Sequence, residues 1–115
     1  MLKPYVIRKD HRDQIPMGEG VQFSYLRKVE EEYSILVQME SGKVFSTHSQ
    51  SVGEELFVID GDVIIGDFVL QAGDYYFSPQ GKKESISTTH GCTVLISSTK
   101  GLESSPSIRK QRVKS

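Results

Sequence analysis

The chain has one cysteine, Cys92, in 115 residues, which excludes an intramolecular disulfide and any zinc site built on Cys-x-x-Cys. No apolar run approaches the ~20 residues that a bilayer span needs. The first residues, MLKPYVIRKDHRDQIP, meet charge and proline early and lack the apolar core of a secretory signal, so the expected location is the cytoplasm. Charge of one sign is not in excess. The formal net charge of −1 argues against a nucleic-acid surface over the whole domain. A sustained 3.6-residue apolar stripe, the mark of a substantial helix, is missing, and so is any internal repeat.

What is there reads as β-structure. Hydrophobic residues make up 37% and charged residues 25%, a globular balance, and the length suits one domain with one modest core. From about Val21, short β-prone runs alternate with turn residues. YSILVQM (33–39) precedes Ser-Gly, and KVFSTHSQ (43–50) precedes Ser-Val-Gly. ELFVI (55–59) precedes Asp-Gly-Asp, and DVII (62–65) precedes Gly-Asp. DFVLQ, YYFS, ESIST and CTVLIS complete the series. Glycine-centred turns at this spacing predict an all-β sandwich or barrel over about 21–98. Residues 1–20 read as an irregular arm holding one strand, PYVIRK. Residues from about 101 read as a tail whose basic run, RKQRVK (109–114), is solvated. Glu30-Glu31-Glu32 reads as a solvated turn.

The stretch THSQSVGEELFVIDG (47–61) carries the chemistry. Alternate strand side chains share a face, so His48 and Gln50 project together, with Val44 and Ser46 on the same side. The Ser51–Gly53 turn then brings Glu54 back towards them. A glutamate buried beside an imidazole and an amide is costly unless something positive meets it. His90, in a Thr-Thr-His-Gly turn, and His11, in the charged arm, read as exposed. Cys92 reads as a small buried residue rather than a nucleophile. Of Tyr75, Tyr76 and Phe77, alternation sends one face to the core and the other to a pocket or partner.

These residues resemble a known family. Gly42-x5-His48-x-Gln50-x3-Glu54-x6-Gly61 is similar to the first cupin motif, and Gly73-x5-Pro79-x-Gly81-x2-Glu84 to the second. The landmarks GEELFVIDG, AGDYYFSPQG and HGCTVLIS further resemble the short cupins of the ChrR anti-sigma-factor type. The resemblance implies an all-β cupin double-stranded β-helix, a jelly-roll-like small barrel, as a single domain over 1–115. It also implies a homodimer, and a metal site at His48, Gln50, Glu54 and Glu84. The usual set is three histidines and one glutamate. Here Gln50 and Glu84 replace two histidines, so the 2-His-1-carboxylate iron pattern is not met. An oxygen-rich set favours harder ions such as manganese or magnesium, with nickel, zinc or iron as further candidates.

Two functions stay open at this point. One is a metal-dependent enzyme acting on a small oxygenated organic molecule. The other is a non-catalytic ligand-binding or sensor module that has lost its metal and keeps a polar pocket, where two carboxylates would raise one another's pKa. The chain shows no counterpart of the separate zinc-binding helical domain with which anti-sigma factors of that type grip the sigma factor, so sigma binding is not expected.

Overall fold

The computed structural model describes residues 3–46, 53–79 and 84–99. The strands are β1 (Ile15–Pro16), β2 (Val21–Val29), β3 (Glu32–Met39), β4 (Val44–Ser46), β5 (Glu54–Ile65), β6 (Phe68–Gln71), β7 (Tyr75–Ser78), β8 (Ser85–Ser87) and β9 (Cys92–Ser98). The described residues contain one short helical element, a 3-10 turn at Lys9–His11. No helix among them is long and apolar enough to cross a membrane. The order β1-β2-β3-β9-β5-β8-β4, entirely antiparallel, curls around one core, with β6 and β7 also pairing with β5.

The core follows from period-two alternation. Phe23, Val37, Val94 and Val58 stand opposite one another across four strands, and the three valines have no exposed surface. Ile35, Leu56, Ile96, Ile65 and Ile86 extend that inner face. The arm differs from expectation. Residues 4–9 form no strand, and the arm pairs instead through Ile15 and Pro16 with Phe23 and Gln22. It is tied down further by the Tyr5 hydroxyl, which donates to the Leu26 carbonyl at 2.7 Å.

The second correction concerns Asp60-Gly61-Asp62. This stretch is not a turn between two strands. Residues 54–65 form one twelve-residue strand, and the pairing with β9 jumps from Val58↔Val94 to Asp60↔Thr93. Ile59 is the extra residue of a β-bulge, which bends a strand while keeping its direction. The bulge also reverses the alternation: Leu56 and Val58 point inward before it, Val63 and Ile65 after it. Gly61 has φ +83, and a Cβ there would stand 2.0 Å from the Gly91 carbonyl oxygen. Only glycine fits a position that is both left-handed and this crowded.

Asp62 closes the same region. Its carboxylate accepts from the backbone amides of Thr89 (2.9 Å) and His90 (2.8 Å), and the His90 ring Nδ1 lies 3.1 Å from Oδ1. The Thr88 hydroxyl donates to the Asp62 carbonyl at 2.7 Å and accepts from the Gly91 amide at 2.9 Å. The amide bonds from Thr89 and His90 hold the Asp62 carboxyl below its ordinary 3.8. A lowered carboxyl pKa adds stability that is full above 3.8 and is lost as pH falls through the folded value. Asp62→Asn is therefore expected to lower the melting temperature by several degrees at pH 7. Melts at descending pH should show the gap to wild type closing below about 3.8. A constant gap at all pH values would refute this role.

Candidate functional site

Glu54 opens β5 on the inward side of Leu56, and Glu84 stands just before β8 on the inward side of Ile86. The chain positions are thirty apart, yet both side chains line one cavity. Its other described walls are Leu56, Ile65, Tyr76, Ser78, Ile86 and Ile96. The cavity measures about 10 Å³, room for about one water molecule or one bare ion. Glu84 is buried, at 8% exposure. The floor is aliphatic.

Two tyrosines meet the carboxylates. Tyr33, on β3, donates its hydroxyl to Glu54 Oε2. Tyr76, on β7, donates to Glu84 Oε1 at 3.1 Å. Both are inward positions of their strands and pack against the core cluster. Sequence reasoning missed Tyr33. Its signal was available, since Tyr33, Ile35, Val37 and Met39 alternate on one face. Tyr75 and Phe77, on the other side of β7, are exposed. Burial pushes the Glu54 carboxyl above its ordinary 4.5, opposed by the Tyr33 hydrogen bond. Burial, rather than repulsion from a second carboxylate, is the leading cause. Burial and the Glu84 contact push the Tyr76 phenol upward in turn.

The four expected ligands divide into two pairs. Glu54 and Glu84 come together. His48 and Gln50 lie outside the described residues, as do Ser51 and Val52 of the expected turn and Gly81. In β4, Val44 and Ser46 are exposed while Phe45 between them is buried, so Ser46 faces away from the core rather than into a pocket. His90 has an exposed ring, held by Asp62, and His11 is exposed. Cys92 is buried, and burial raises its thiol pKa, the opposite of an activated nucleophile.

Among the described residues no group of three or more His, Cys, Asp or Glu side chains converges as a metal centre. The donors that do converge fit part of one. Two carboxylates around an ion-sized hollow suit a hard divalent cation, and a second lone pair on each oxygen pair stays compatible with tyrosine donation.

The sequence pattern of the ChrR Cupin-like domain matches residues 3–101. The chain belongs to that family. No curated protein sequence matches it. Solved structures share the fold at low identity. An RmlC-like cupin from Shewanella frigidimarina superposes with a TM-score of 0.74 at 17% identity, covering 84% of this chain and 90% of that one. The complex of Rhodobacter sphaeroides SigE with the anti-sigma ChrR gives 0.69 at 19%, covering 79% of this chain and 51% of that one. FeII HppE gives 0.70 at 12%, covering 83% and 60%. The cupin chain here thus spans about half of its match in the ChrR complex.

A raised carboxyl pKa contributes stability that is full below the unfolded value and is lost as pH rises through the folded value. Ionised Glu54 is thus a cost to the metal-free protein. Glu54→Gln, which keeps an acceptor for Tyr33, should raise the melting temperature in chelator at pH 7 by a few degrees. The advantage should vanish below about 4.5; a variant less stable than wild type at pH 7 would count against the assignment.

Proposed function

We propose that the protein binds a divalent cation through Glu54 and Glu84, completed by His48 and Gln50, and that this centre engages a small oxygenated organic molecule. The observation that carries the reading is the meeting of the two motif glutamates in one ion-sized, aliphatic-floored cavity. Ionised Glu54 is costly there, since burial raises its carboxyl pKa, and a cation relieves that cost. Support also comes from the iron(II) form of HppE, which has the same fold. The oxygen-rich donor set favours manganese, with iron, nickel and zinc as the further candidates. A bound divalent ion supplies Lewis-acid polarisation of a carbonyl or carboxylate oxygen. The chain's own part is to orient the ligands: Tyr33 holds Glu54, and Tyr76 holds Glu84.

A second reading is a non-catalytic ligand-binding or sensor module, and two observations favour its non-catalytic character. The family is named for ChrR, an anti-sigma protein. A cavity of about 10 Å³ is far below the ~300 Å³ of a site that encloses an organic substrate, which leaves a bare ion or a proton as the simpler occupant to be sensed. Metal analysis of protein purified without chelator tests the cation. About one ion per chain is expected, lost in His48→Ala and in Glu54→Ala. No metal after supplementation with manganese, iron, nickel and zinc would leave the sensor reading alone. Turnover or its absence in the loaded protein then separates enzyme from module.

The same reading includes a homodimer. On the outer face of β5 and β7, Phe57 stands opposite Tyr75, and Phe57, Ile59, Tyr75 and Phe77 are each 41–54% exposed. A contiguous aromatic patch of this kind calls for a cover, and a self-complementary one favours two-fold pairing. Light scattering should give a dimer at micromolar concentration and a monomer for Phe57→Glu. A wild-type monomer at high micromolar concentration overturns it.

A further inference from the structure

The larger hollow is on the other side of the sheet. One row of side chains faces outward across four adjacent strands: Gln22 on β2 opposes Gln38 on β3, Gln38 opposes Thr93 on β9, and Thr93 opposes Asp60 on β5. Directly opposed residues share a face. At about 4.8 Å per strand the row runs about 14 Å. The next row, Phe23 to Val58, faces the core, so these four polar side chains point out of the barrel. They line a cleft of about 420 Å³, with Gly20, Glu40 and the His90–Gly91 turn gathered at one end of the row and Pro16 and Gly18 also in the wall. That volume is within the ~300–1,000 Å³ typical of small-molecule sites.

Three features give the cleft a ligand chemistry. The side chains of Gln22, Gln38, Thr93 and Asp60 make no hydrogen bond to any described residue, so their donors and acceptors are unspent. The lining carries two carboxylates, Asp60 and Glu40, with no lysine or arginine among its described residues. The nearby Lys43 ammonium is spent on Glu19 at 3.0 Å. Further, the bulge that displaces Ile59 is what turns Asp60 onto the Thr93 row. The amides accept as well as donate, so the surface is anionic and rich in acceptors.

We infer that this outer cleft binds a small molecule bearing a guanidinium or ammonium group, with Asp60 as its charge partner and Gln22, Gln38 and Thr93 as its hydrogen-bonding floor. A planar guanidinium matches a carboxylate fork and neighbouring amide carbonyls. An anionic ligand is disfavoured by both carboxylates, and among its described lining residues the cleft offers no phenylalanine, tyrosine or tryptophan as a platform for an apolar one. The site is independent of the interior cavity and of any cation there.

Agmatine is the probe and xylitol, a neutral polyol, the comparator. Amide chemical shifts of the full chain should move saturably with agmatine at millimolar concentration, with the changes confined to residues 18–22, 38–40, 60 and 90–93. Asp60→Asn removes the charge at constant shape and should weaken binding about tenfold, the cost of one charge-assisted contact. Glu55→Gln, two rows away on the same face, should bind as wild type. If Asp60→Asn loses its dispersed spectrum, Glu40→Gln carries the charge test, with weaker binding expected. The inference is overturned by no saturable shift, by unchanged affinity in the folded Asp60 or Glu40 variant, or by xylitol binding as tightly as agmatine.

Discussion

The structure turns on the close approach of Gly61 and Asp62 to the turn 88–91. At Gly61 a side chain is forbidden by the Gly91 carbonyl. At Asp62 a carboxylate is required, because it takes two backbone amides that the turn cannot pair internally. This contact fixes where β8 ends and β9 begins. It also stands beside the bulge that divides β5 between partners, with β7 and β9 along its first half and β6 and β8 along its second. A single strand can serve both only if it bends, and the bulge supplies the bend without breaking the backbone ladder. Glu54 lies on the first half and the β8 strand that follows Glu84 pairs with the second. Their meeting in one cavity is therefore a consequence of that bend.

The alternation of inward and outward rows then decides what each side of the sheet can do. Inward rows are apolar except at one end, where Tyr33, Glu54, Tyr76 and Glu84 bring polar groups inside. Outward rows are mixed: polar and unpartnered at Gln22–Asp60, aromatic and exposed at Phe57–Tyr75, and paired at Ser34–Ser97, whose hydroxyls lie 2.9 Å apart. A wall one residue thick thus carries a small hollow with carboxylates on an aliphatic floor within and a larger polar cleft outside. Their sizes differ accordingly: beside the two carboxylates there is room for an ion or a water, and in the outer cleft for a whole molecule.

Much of this was legible in the sequence because period two is a strong signal and glycine marks its interruptions. The strands and the exposure of Phe57 and Ile59 follow from it, while the inward direction of Glu54 and Glu84 is read from the turn at Gly53 and the Pro79-x-Gly81 spacing. The failures have local causes. Asp60-Gly61-Asp62 has the composition of a hairpin turn, and nothing in a one-dimensional pattern distinguishes a positive-φ glycine in a turn from one in a bulge. PYVIRK has β propensity but no opposing strand in register: the arm pairs with β2 only at Ile15 and Pro16, and Tyr5 touches it through its side chain alone. Val44 and Ser46 do share one side of β4, opposite buried Phe45, and whether His48 and Gln50 share it lies outside the described residues. The outer cleft was invisible for a different reason. Gln22, Gln38, Asp60 and Thr93 are spread over four strands, and only register makes them a row.

Charge balance in the interior gives the last constraint. A carboxylate moved against isoleucine and leucine loses hydration that one tyrosine hydroxyl restores only in part. The direction at Glu54 expresses that inequality: the Tyr33 bond favours ionisation, burial opposes it, and burial wins. Were the hydroxyl sufficient, the carboxyl would sit at or below its ordinary value, as Asp62 does with its backbone amides. The contrast between these two acids separates a structural carboxylate from one with unmet demand. Asp62 is satisfied by the chain itself and has no need of a ligand. Glu54, paired across a small aliphatic hollow with Glu84, keeps a deficit of positive charge that the described side chains leave open, and a proton or a cation is what can fill it.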